Sequence, residues 1–275
     1  MKTTFVLGFL KSSLTFILIL SSCKGIETNP EWIGQINKSE TGILDDCRNF
    51  TDHVYVYQMY HCSASDSLDC TPKDEQSLLL PDSYLHCCST DSLIVTCFKY
   101  PFFPVIWAFN LEQEGFDHLN SKFNGIEALY SRNDAGAKLI GYFGNMDPYK
   151  LKIISNGTQA IIYVESFTDI ELLLAQYDFI NKLNLNEKNQ LLQECVAKFE
   201  AMSNMPDFSF GAVSPLITTM ARILSVTKFK PFLDGVETRP QVTSIIDGYI
   251  NLYFECGDEN ANYVYTNSKD YLNGL

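Results

Sequence analysis

The sequence predicts an α+β protein, mainly α, in which a disulfide-stapled N-terminal part is followed by an antiparallel helical part. Three observations carry that expectation. Six of the nine cysteines crowd between Cys47 and Cys97. From Ser121 onward, apolar residues recur at helical spacing in segment after segment. The links between those segments are short, so successive helices are expected to pack antiparallel. With 275 residues, 46% hydrophobic and 13% aromatic, the chain is long and apolar enough for a substantial core.

The first residues read as an export signal. Lys2 and Lys11 are the only charges before Cys23. Leu14–Leu20 is a short apolar run, and the small residues Ser21 and Ser22 follow it. That run is too short to span a bilayer, and extending it backwards would bury Lys11. Residues 1–22 are therefore read as a signal peptide. Removing its two lysines takes the net charge from −13 to −15. Such an acidic chain repels phosphate backbones and anionic headgroups, so nucleic acid is not an expected partner.

Leu20-Ser21-Ser22-Cys23 resembles a bacterial lipobox, and Leu18–Gly25 is similar to the leaders of Bacteroidetes lipoproteins. The resemblance covers the first 25 residues. It implies cleavage before Cys23, acylation of that cysteine and membrane attachment at the outer membrane of a bacterial envelope through the lipid. Residues 23–40 then form the lipid-anchored tether. Farther on, Glu127–Ala137 and Thr219–Leu224 resemble segments of uncharacterised secreted helical proteins of bacteria, a likeness that implies no activity.

Residues 41–120 are the cysteine-rich part. Setting Cys23 aside leaves an even number of candidates for disulfides: Cys47, Cys62, Cys70, Cys87, Cys88, Cys97, Cys195 and Cys256. Connectivity is open, except that the adjacent Cys87 and Cys88 are expected to take different partners. His53–Tyr60 is rich in β-branched and aromatic residues and reads as a strand. Ser83–Tyr100 reads as a helix, or as a strand in its second half. Tyr100–Phe109 is densely aromatic, and Pro101 and Pro104 exclude a regular helix through its start. It is expected to pack between the two parts, and the surroundings of Trp107 are the candidate ligand site because pockets favour such junctions.

Residues 121–275 are the helical part. Phe123, Ile126, Leu129 and Tyr130 share a face. Asn133 or Asp134 is expected to cap a helix bearing Leu139, Ile140 and Phe143, closed by Gly144 and Pro148. Leu151–Val164, with Asn156-Gly157 at its centre, reads as a β-hairpin. Four amphipathic segments follow. Their predicted starts are Thr168 or Asp169, Asn186, Ser214-Pro215, and the approach to a stripe running from Val242 to Phe254. The acidic end, with Asp258, Asn260, Asn262 and Asp270, matches the first ligand spacings of a calcium loop but has Tyr263 where glycine is required. It is expected to be a solvated tail.

No cofactor or metal is expected. His61, His86 and the neighbouring cysteines lack the paired spacing of a zinc site, and export favours disulfides over thiolate ligands. No nucleophile elbow, zinc-protease helix or phosphate-binding glycine loop is present. The expected function is thus non-enzymatic, in binding or assembly, with attachment to a membrane by the lipid and a protein partner as an open option. A hydrolase assembled across distant segments is a weaker alternative. The other alternative is a secreted eukaryotic, disulfide-rich glycoprotein binding a partner or an apolar ligand. It is favoured by the acceptor patterns at Asn37, Asn49 and Asn156.

Overall fold

A computed structural model describes residues 53–57, 60–62, 70–72, 78–148, 158–205, 214–248 and 258–275, with the side chains of 60–62, 70–72, 107, 158–166 and 258 outside the description. All of these residues belong to the compact unit spanning Leu44–Leu275. The expectations for Cys23, Cys47 and Cys256, for the leader and for the tether lie outside the described residues.

The β content is small. β1 (Tyr60–Cys62) pairs antiparallel with β2 (Cys70–Pro72), and the register sets Cys62 opposite Cys70. The expected strand over His53–Tyr60 is not formed across residues 53–57. There the backbone is held by side chains: the Tyr55 amide donates to Tyr84 Oη and Thr96 Oγ1, and Tyr84 Oη donates to the His53 carbonyl. A chain anchored through its amides to side chains has no ladder to join.

Ser83–Tyr100 resolves into two helices, α1 (Asp82–Cys87) and α2 (Thr90–Phe98). Ser89 breaks them. Its extended backbone and its hydroxyl, which accepts from the Ser92 amide, make it the N-cap of α2. The aromatic stretch winds into a 3-10 helix, Phe103–Ala108, with Pro104 in its first turn. Tyr100, Phe103 and Ile106 are buried, and Tyr100 stacks on Phe123 at 4.0 Å. These three residues belong to the core, while Ala108 is exposed.

α3 (Glu112–Lys122) packs on that 3-10 helix, with Gly115 against the Ile106 carbonyl where a Cβ has no room. α4 (Asn124–Tyr130) and α5 (Ala135–Asn145) bury the predicted stripes. Asp134 does occupy the N-cap position of α5, but its side chain makes no cap; it accepts instead from Thr90 Oγ1 at 2.6 Å.

The expected hairpin over Leu151–Val164 is overturned. Residues from Thr158 belong to α6 (Thr158–Ala175), so Thr168 and Asp169 lie inside a helix rather than capping one. The physical reason is composition: Ile161, Ile162 and Val164 are the β-branched residues typical of a strand, and a short apolar run does not by itself separate helix from strand. α7 (Tyr177–Lys182) follows directly.

α8 (Leu185–Ser203) starts two residues earlier than expected. Asn184 is its N-cap, and with Glu187 it forms a capping box. The stripe Leu191, Leu192, Cys195, Val196, Phe199 and Met202 is buried as predicted. α9 (Ser214–Val226) is central, with every residue from Ser214 to Leu224 buried. α10 (Lys230–Val236) and α11 (Pro240–Asp247) carry prolines in their first turns. α11 stops at Gly248, which adopts φ 75, so the long stripe expected to run on to Phe254 is interrupted there. The expected solvated tail is instead α12 (Asp258–Asn273), which buries Ala261, Val264 and Ser268 against α8 and α9. No helix among the described residues is long and apolar enough to cross a membrane.

Candidate functional site

Two features could carry chemistry: an open groove at the end of α5, and a cluster of charged groups beneath it in the helix core.

The groove, of about 290 Å³, lies between Gly144–Pro148 and one face of α8 bearing Glu194, Ala197, Lys198 and Ala201. Lys198 forms its inner edge. Its side chain is 5% exposed. The ammonium donates to the Met146 carbonyl at 2.8 Å, lies 4.6 Å from the centre of the Phe143 ring and sits 3.8 Å from a Glu194 oxygen. Burial lowers its pKa, against the opposing pull of Glu194, Cys195 and Glu171. One task of Lys198 is local: it satisfies a carbonyl left open at the end of α5. The amine also lies in the groove's lining, beside the Glu194 carboxylate.

Behind the groove the polar groups continue inward. Glu171, on α6, is 1% exposed, and neither carboxyl oxygen has a hydrogen-bond partner. Thr218 Oγ1, on α9, is also buried and unpartnered. Glu112, at the first turn of α3, accepts from Ser214 Oγ at 2.8 Å. Burial pushes Glu112 up to about 7, with Ser214 and Arg222 opposing the shift. Arg222, buried on α9, donates to the carbonyls of Ile246 and Ala175, each at 2.7 Å, and to Gln113 Oε1 at 2.8 Å, while its guanidinium lies over the Tyr177 ring. Four helices supply these side chains: Glu112 comes from α3, Glu171 from α6, Lys198 from α8, and Ser214, Thr218 and Arg222 from α9.

The cysteines are distributed differently from the expected fully paired set. Cys88, Cys97 and Cys195 are buried free thiols, which corrects their assignment as disulfide partners. Enclosed in helices α2 and α8 and at the end of α1, they pack as small apolar residues. Burial raises all three thiols, and for Cys88 it outweighs the Arg132 guanidinium 3.4 Å away. Cys87 is disulfide-bonded, its partner lying outside the described side chains. Among the described residues no group of three or more His, Cys, Asp or Glu side chains is placed to hold a metal. His86 is on the surface, its Nδ1 2.8 Å from the Asp82 carbonyl of its own helix.

Trp107, the expected ligand contact, lies in the 3-10 helix Phe103–Ala108. Its neighbours Phe103 and Ile106 are core, and the groove is elsewhere. The groove and the buried cluster escape sequence reading because Lys198, Glu171 and Arg222 sit inside apolar helical stripes, where each looks like an ordinary interruption. Comparison with known protein families, with characterised proteins and with solved structures gives no match to this chain.

Proposed function

We propose that the chain is an exported lipoprotein, acylated at Cys23 and held to a bacterial outer membrane, whose helical body acts in binding or assembly rather than in catalysis. The observation that carries this reading is Leu20-Ser21-Ser22-Cys23 placed directly after an apolar run, with a polar stretch following. A tether of that kind lets a folded unit reach a partner beyond the membrane surface. The groove beside Lys198 supports the binding part of the reading, since it offers an amine, carboxylates and a backbone edge to a small polar ligand or a peptide segment. Disulfides among Cys47, Cys62, Cys70, Cys87 and Cys256 staple the N-terminal part. With Cys23 acylated and three thiols free, five cysteines remain, enough for two bridges at most.

Intact mass of the mature protein, before and after reduction, tests this. A chain beginning at Cys23 with added acyl mass, gaining two or four hydrogens on reduction, is the expected result. Cys23→Ala should move the protein from the membrane to the soluble fraction, and unchanged partitioning of that variant would sink the proposal. The second reading, a secreted glycoprotein, is favoured by the acceptor patterns at Asn37, Asn49 and Asn156. It requires sugar mass on those residues and a mature chain without lipid.

A further inference from the structure

Glu171 is the least explained group in the described core. A buried carboxyl with two unpartnered oxygens is rare, because an ionised carboxylate cannot be left in an apolar interior without a counter-charge or donors. No donor is supplied, and Lys198, the cation that acts on it, makes no hydrogen bond to it. Lys198 uses its ammonium on the Met146 carbonyl and Glu194, and Arg222 is bound to two carbonyls and an amide oxygen. The closest carboxyl influence on Glu171 is Glu112, of the same sign. Ser214 has already given its hydroxyl hydrogen to Glu112. Thr218, one helical turn beyond Ser214 on α9, is an unpartnered hydroxyl on the same face.

We propose that Glu171 and Glu112 are held as a proton-carrying pair in the interior, and that loss of these protons is a built-in trigger that loosens the packing of α6 against α9. The groups acting on the pair come from α3, α8 and α9. Glu112 on α3 opposes ionisation of Glu171, and Lys198 on α8 favours it. Burial raises the Cys195 thiol on α8, with Glu171 adding to it, and Glu194 acts on Lys198 and Cys195. Arg222 on α9 acts on Glu112. Burial is the largest cause for both acids, and it raises Glu171 well above the ordinary glutamate range.

The sign follows from linkage. Both folded-state values lie above the unfolded one, so the stabilisation is complete below the ordinary glutamate value and is lost as pH rises through the folded-state values. For Glu112 that loss runs from the ordinary glutamate range to about 7. For Glu171 the loss likewise starts at the ordinary glutamate range and runs upward from it.

The test compares the intact protein with Glu171→Gln, which keeps the shape and removes the titration. The ratio of folding constants, variant over parent, should grow with pH above about pH 5, by up to about tenfold per pH unit, since one held proton is removed. A ratio that stays flat across that range overturns the proposal. Should the variant fail to fold, infrared spectroscopy of the parent decides. A protonated carboxyl band persisting at pH 7, and fading on alkalinisation together with loss of near-ultraviolet circular dichroism, supports the pair. A parent with no such band at pH 7 refutes it.

Discussion

Arg222 is almost wholly buried, and none of its three hydrogen bonds goes to a carboxylate. Its role is therefore to close backbone and amide acceptors that burial would otherwise leave open: the Ala175 carbonyl at the end of α6, the Ile246 carbonyl near the end of α11 and the Gln113 side chain on α3. Each acceptor stranded in the core costs about 1–3 kcal/mol. Arg222→Leu should accordingly lower the unfolding free energy by roughly 3–5 kcal/mol in urea titration, a loss comparable to breaking a buried ion pair. Arg222→Lys keeps the charge but cannot reach three separate acceptors at once, so its midpoint should fall between the two. The thiols give a second prediction at this scale. Because burial holds Cys88, Cys97 and Cys195 as protonated thiols, none should react with an aromatic disulfide reagent in the native protein at pH 8. All three should react after denaturation, as read by peptide mapping.

At the scale of elements, helix starts and stops show what local chemistry determines. Asn184 and Asn186 are both good cap residues, but only Asn184 has a glutamate three positions on, and the structure selects it: Asn184 Oδ1 accepts from the Glu187 amide and Glu187 Oε2 from the Asn184 amide. That signal was available in the sequence. Asn184→Ala should cost about 1 kcal/mol, seen as a lower melting temperature with the fold unchanged. Gly248 is a stricter case. Its φ of 75 suits glycine, and a Cβ there would lie 2.4 Å from Arg222 Nη2, so Gly248→Ala should disturb both the end of α11 and the Arg222 bonds. The stripes of α4, α5 and α8 were legible because each has one wet face, which leaves a period of 3.6 in the sequence. The second half of α6 was legible as a helix from Thr168 or Asp169, but the first half was not, because Ile161, Ile162 and Val164 mimic a strand's composition. α12 was missed for a different reason. Its buried residues are Ala261, Val264, Asn267 and Ser268, too small or too polar to stand out as a stripe.

At the scale of the molecule, the candidate site was the least legible part. The hydrogen bond from Ser214 to Glu112 spans 102 residues and that from Arg222 to Gln113 spans 109. No local pattern announces such partners, and each polar residue alone reads as a break in an apolar face. The same long-range logic bears on the C-terminal segment. If residues 258–275 were a solvated tail, deleting them would leave the core untouched. As α12 they do much more. Tyr263 Oη donates to the Phe232 carbonyl on α10, Tyr265 stacks on Phe199 of α8 at 4.8 Å, and Tyr271 Oη donates to Asn189 of α8. Ala261 and Val264 are fully buried beside α9, so their removal uncovers the central helix along its length. A central helix buried all round, as α9 is from Ser214 to Leu224, tolerates no wet face. A chain ending at residue 257 should therefore keep much of its helical circular dichroism, bind a hydrophobic dye strongly and lose its cooperative thermal transition. A truncated chain that melts cooperatively within a few degrees of the parent would show that α12 contributes little to holding α8, α9 and α10 together.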